Sequence, residues 1–240
     1  RIRDLAREFL VAKAVTMTAL TVGGSATDAS SYTTASIAPG ANQLVLAAVA
    51  SGGTAPTGPT LSGGGMTSWT QVAQTALYNS SQNYTTLFRA LQASPGSGTV
   101  TIDFAGDVQE AGCSWSIAQF DGVDTSGTNG SGAVVQSATN TVASGTSLTV
   151  TLAAFGSANN ATYGCFGTNR WTGTTQWTPG AGFTEIHEKV GDWANVASEW
   201  RADNDTTVDM TLAGASSIGG VAIEIKAAVA AAGVTGPIIF

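Results

Sequence analysis

Apolar and polar positions change their period once along this chain. In Arg1–Lys13 the apolar residues Ile2, Leu5, Ala6, Phe9 and Leu10 recur at helical spacing. Arg1, Arg3, Asp4, Arg7 and Glu8 occupy the other face. The spacing predicts a short amphipathic helix, too short to be stable alone in water, so its stripe must pack on its own domain or on a neighbour.

From Val15 onward the period is two. Strands are expected over 15–22, 32–38, 43–51, 69–78, 84–92, 98–105, 112–120, 147–155, 161–168, 183–190, 195–202, 206–212 and 219–227. In Thr99–Phe104 the core face is Val100, Ile102 and Phe104, with Thr on the solvent side. Turn formers separate the segments, among them Gly52-Gly53, Ser94-Pro95-Gly96, Pro179-Gly180 and Asp203-Asn204-Asp205. Residues 121–146, rich in Gly, Ser, Thr and Asn, are expected to form a long loop or a crossing between halves.

The predicted fold class is all-β: a two-sheet antiparallel, jelly-roll-like sandwich over 15–227. A helical arm over 1–14 precedes it and an apolar tail over 228–240 follows. In that tail Val234, Ile238, Ile239 and Phe240 would be an aggregation hazard in water, so a groove on the domain or on a partner should cover them. Ile2, Leu5, Phe9 and Leu10 are the matching partner-contact residues of the arm.

Composition narrows the function classes. Nine basic and 16 acidic residues give a net charge of -7, and only 10% of residues are charged. This balance argues against a nucleic-acid partner, and no apolar run is long enough to span a bilayer as a helix. Cys113 and Cys165 are too few for a disulfide scaffold and read first as buried thiols, with one bridge as the alternative.

Chemistry is sparsely signalled. The single histidine, His187, shares a strand face with Glu185 and Lys189 and reads as a solvated surface residue. Glu185, Glu199 and Glu224 are candidate carboxylates for hydrolysis, but they form no tight cluster in sequence. Asp203, Asn204, Asp205 and Asp209, or Asp103, Asp107 and Glu110, could contribute oxygen ligands, yet they read better as polar turns. No metal, cofactor or catalytic residue is therefore expected. Trp171, Trp177 and Trp193 lie in loop-like segments, where aromatic faces suit sugar stacking or a protein interface. Trp115 reads as core. Five Asn-x-Ser/Thr sequons, at Asn79, Asn83, Asn129, Asn160 and Asn204, matter only in a glycosylating pathway.

Ser114–Asp124 (SWSIAQFDGVD), then Pro179–Glu185, Ser198–Arg201 and Val221–Ile225, resemble in their order a loose group of jelly-roll, concanavalin-like sandwich domains. Such domains occur in bacteriophage virion proteins and bacterial surface proteins. The resemblance covers about residues 16–227 and carries over no catalytic residue. It implies a virion or surface role. With the low charge, the absence of a plausible active site in the sequence and the two apolar ends, the expectation is a non-enzymatic structural subunit of an extracellular assembly, such as a phage capsid decoration or tail protein, located on a virion or an extracellular surface. Its partners would be itself, as a homo-oligomer, or another virion or surface protein. The alternative is a carbohydrate-binding or adhesive module, with glycans as partners.

Overall fold

The computed structural model describes residues 13–53, 58–77, 83–169, 176–190 and 194–229. The expected N-terminal helix lies outside them, as do Ile2, Leu5, Phe9, Leu10, Val234, Ile238, Ile239 and Phe240. The described residues form an all-β, antiparallel structure of fourteen strands. The strands are β1 (Thr16–Ser25), β2 (Ser31–Ile37), β3 (Leu44–Gly52), β4 (Thr60–Gly63), β5 (Thr70–Ala76), β6 (Asn83–Ala90) and β7 (Gly98–Asp103). They continue as β8 (Cys113–Asp121), β9 (Val134–Thr151), β10 (Ala161–Asn169), β11 (Trp177–Pro179), β12 (Thr184–Lys189), β13 (Ala194–Arg201) and β14 (Thr207–Ile225).

Three sheets form, where two were expected. The five-stranded sheet has the order β1-β8-β3-β6-β5. The six-stranded sheet runs β11-β14-β10-β13-β12, with β9 on β14, and β2-β7-β4 make the third. The five-stranded sheet is the middle layer, because its central strand is apolar on both faces. All nine residues of β3 are buried. Leu44, Leu46, Ala48 and Ala50 face the six-stranded sheet and pack with Phe120, Tyr163, Val196 and Ile223. Val45, Ala47 and Val49 face the three-stranded sheet and pack with Tyr32, Val100, Ile102 and Phe104. Each fully buried Leu, Val or Phe contributes about 1.5–3 kcal/mol, so leaving either face of β3 in water would be costly.

A third core lies on the far side of the six-stranded sheet. There Leu148, Val150, Val208 and Met210 cover Phe166, Ala197 and Ala222. They can do so because the β9–β14 ribbon doubles over. Its register breaks between Thr211 and Ile218. Gln136 of β9 exchanges two hydrogen bonds with the backbone of Ala153, just past the strand's end, at 3.0 and 2.9 Å, and within β9 Asn140 Nδ2 donates to Thr149 O at 2.8 Å. The two halves of β9 thus lie side by side.

This ribbon corrects two expectations. Residues 134–146 are strand, not loop: their Gly, Ser and Thr residues hide a β-ladder that becomes visible only through its partner β14. The separate strands expected at 206–212 and 219–227 are one continuous strand. β4 and β11, with four and three residues, were too short for alternation to reveal.

Candidate functional site

Residues far apart in sequence, Lys13 and Lys226–Ala228, converge on one turn, Asp121–Asp124. Lys13 Nζ lies 2.6 Å from Asp121 Oδ2, and Lys226 Nζ lies 2.7 Å from Asp124 Oδ2. Backbone bonds reinforce both pairs. Ala228 N donates to Gly122 O at 2.8 Å, and Asp124 N donates to Lys226 O at 2.9 Å. Gly122 holds a φ of +73°, and a Cβ there would stand 2.3 Å from Ala14 O, so only glycine lets the strand end press against the incoming chain. The Lys226 ammonium and the Ser126 bonds lower the Asp124 carboxyl to about 2. Asp121 is lowered too, mainly by its bond to Lys13.

Two hollows flank Ala228 and Val229. One, of about 420 Å³, is lined by Lys13, Asn42 and Asp121 among others. The other, of about 540 Å³, has Glu224 and Asn160 in its lining, with Val135 and Lys226. Among the described residues, Val135 and Val229 are exposed large apolar side chains, at 51% and 74%. Lys13 and Val229 therefore lie on a single face carrying hollows, apolar side chains and charge.

The candidate carboxylates are dispersed. Glu224 is buried and accepts from Asn160 Nδ2 at 2.5 Å and Gln136 Nε2 at 2.6 Å. Glu199 is also buried, on the outer face of β13, and accepts from Gly180 N at 2.9 Å. Burial raises its pKa to about 8, the Gly180 bond opposes this, and Asp209 and Asp205 add to the rise. Glu185 is exposed and stands opposite Glu199 in the β12–β13 register.

The Asp203–Asp205 turn is tied down by an arginine. Arg201 bonds both carboxylates, Asp205 at 2.7 Å, and its guanidinium lies 5.5 Å from the centre of the Phe183 ring. This supports the reading as a polar turn. No cluster of three or more His, Cys, Asp or Glu suited to a metal occurs among the described residues.

His187 departs from expectation. It is half-buried, and its Nδ1 lies 3.0 Å from Ser116 Oγ. Ser116 Oγ lies in turn 2.7 Å from Ser198 Oγ. A register shift between Glu185 and His187 is the cause. Glu185 pairs with Glu199 on the outer face, but His187 pairs with Ser198 on the inner one. One extra residue in the strand moves the next side chain to the other face. A Ser–His pair can support nucleophilic catalysis, but Ser116 and Ser198 are sealed between sheets, at 1% and 0% exposure. The cluster fastens the sheets and is closed to substrate.

Trp177, expected in a loop with an open face, is buried in β11 at 4%, with its ring centre 6.3 Å from that of Phe166. It fills the third core, so it offers no stacking platform. Trp171 and Trp193 lie outside the described residues. Trp115 is core, as expected. Cys113 and Cys165 are buried free thiols. Cys113, on β8, lies in the core between the middle and three-stranded sheets, and Cys165, on β10, in the core between the middle and six-stranded sheets, which precludes a bridge between them. Burial raises both pKa values, that of Cys165 to about 12.

Comparison with protein-family models, with curated proteins and with solved structures gave no match. At the level of class, the geometry defines an all-β protein of stacked antiparallel sheets. No described helix is long and apolar enough to cross a membrane.

Proposed function

We propose that this protein is a structural subunit of an extracellular assembly, of the kind found on phage capsids or tails, and that it works by docking and without catalysis. The observation carrying this reading is that Lys13 and Lys226–Ala228, near opposite ends of the sequence, are both tied to the Asp121–Asp124 turn. By sequence, the apolar residues of segments 1–12 and 230–240, which adjoin Lys13 and Val229, are the proposed partner contacts. A three-layer body with long ladders suits a load-bearing surface part, since non-local pairing of this kind resists local opening.

The test is solution mass by light scattering on the chain as it stands and on Phe9→Asp and Ile239→Asp variants. A defined oligomer that both substitutions dissociate is the expected result. A wild-type monomer with no binding partner on virion or cell-surface preparations would overturn the proposal.

A further inference from the structure

We propose that the hollow beside Glu224 is a binding site for an alkylammonium group. Glu224 is 1% exposed, in the middle of the six-stranded sheet, between Thr162 of β10 and Gln136 of β9. It lines a cavity of about 540 Å³. Buried carboxylates are normally paired with a cation. Glu224 has two amide donors but no ion-pair partner among the described residues. Lys226 lines the same cavity, but its ammonium is taken up by Asp124 at 2.7 Å.

The two amides are fixed in orientation. Asn160 Oδ1 accepts from Ala227 N at 3.1 Å, which leaves Nδ2 for Glu224. Gln136 Oε1 accepts from Ala153 N at 2.9 Å, which leaves Nε2 for Glu224. Neither can turn its oxygen toward the carboxylate. Each carboxylate oxygen receives one amide bond and retains capacity for another donor. The floor is thus a preorganised acceptor for a cationic donor. An anion would be repelled by it, and the set lacks the acidic cluster a metal would need.

Apolar atoms supply the rest of the specificity. Val135, Ala228 and Val229 line the cavity, and the two valines are exposed. The ligand therefore has an ammonium head and a short hydrocarbon stem. A free alkylamine and a lysine side chain of a second copy both have this chemistry.

The experiment is an amide NMR titration of the whole chain with n-butylammonium chloride, with n-butanol as the uncharged control. Saturable shifts at Asn160, Glu224 and Val229 are expected with the amine and not with the alcohol. Glu224→Gln removes the charge and should weaken binding by at least about tenfold. Val135→Trp fills the mouth, leaves every Glu224 bond in place, and should weaken it similarly, so it decides the matter should Glu224→Gln fail to fold. Light scattering with the amine present separates the sources: a falling mass assigns the site to a neighbour's lysine, an unchanged mass to a free amine. Unsaturable shifts in the wild type, equal binding of butanol, or undiminished binding in Val135→Trp would each overturn the proposal.

Discussion

Ser116 on the middle sheet and His187 on the six-stranded sheet meet at 3.0 Å between Oγ and Nδ1, with Ser198 closing the group at 2.7 Å. Burial lowers the pKa of His187 from 6.5, so the folded protein favours the neutral ring. In the window between 6.5 and that lower value, the unfolded chain binds the proton more readily. Stability contributed by the neutral ring is present above about 6.5 and is lost as pH falls through the folded value. Urea midpoints measured from neutral to mildly acidic pH should fall more for the wild type than for His187→Gln. Parallel curves would mean that the histidine is not linked to folding.

Glu199 has the opposite sign. Its pKa rises from 4.5 to about 8, chiefly through burial. The folded state holds the proton across that window, so the contribution is full below 4.5 and disappears as pH rises through 8. The loss at alkaline pH is at most about 5 kcal/mol. Glu199→Gln mimics the protonated acid and keeps an oxygen for Gly180 N. It should raise stability above pH 8 and change little near 4.5; equal effects at both would contradict the assignment.

The two ion pairs at the Asp121–Asp124 turn are surface pairs, with Lys13 at 59% and Lys226 at 46% side-chain exposure. Asp121→Asn and Asp124→Asn should each cost about 0.2–1 kcal/mol of global stability. Their effect on anchoring should be larger. Trypsin should cut after Lys13 in Asp121→Asn, and after Lys226 in Asp124→Asn, sooner than in the wild type. The depressed Asp124 pKa makes the second tether hold above 3.8 and loosen as pH falls toward about 2.

Gly167 lies where β10 presses on the middle sheet. A Cβ there would stand 2.2 Å from Thr85 Oγ1 and 3.2 Å from Ala50 Cβ. Thr85 is fully buried and donates to Gly219 O at 3.2 Å, so it cannot give way freely. Gly167→Ala should lower stability by about 1–3 kcal/mol through overpacking, read as a reduced urea midpoint. A neutral result would mean that Thr85 and Ala50 yield to the added methyl without loss.

Alternation alone placed most strands. Val100, Ile102 and Phe104 were legible as a core face and are buried at 0–1%. The unbroken apolar run of β3 was legible as a strand, but its meaning was not. Both of its faces are covered, which makes its sheet the middle of three. The candidate site was less legible. Lys13, Asp121, Asp124 and Lys226 look like scattered surface charges until the fold brings them together. Glu224 was recognisable as a carboxylate in a strand, whereas its amide clamp comes from residues 88 and 64 positions away.

The sequence by itself determined the β class and the positions of most strands, because those follow from local period. Tertiary structure alone decided the number of sheets, the strand identity of 134–146, the face of His187 and the burial of Trp177. Each depends on pairing with a distant partner. A bulge at Ile186 reverses a face without leaving a mark in composition, and a Gly/Ser/Thr segment becomes a strand only when another strand supplies its hydrogen bonds.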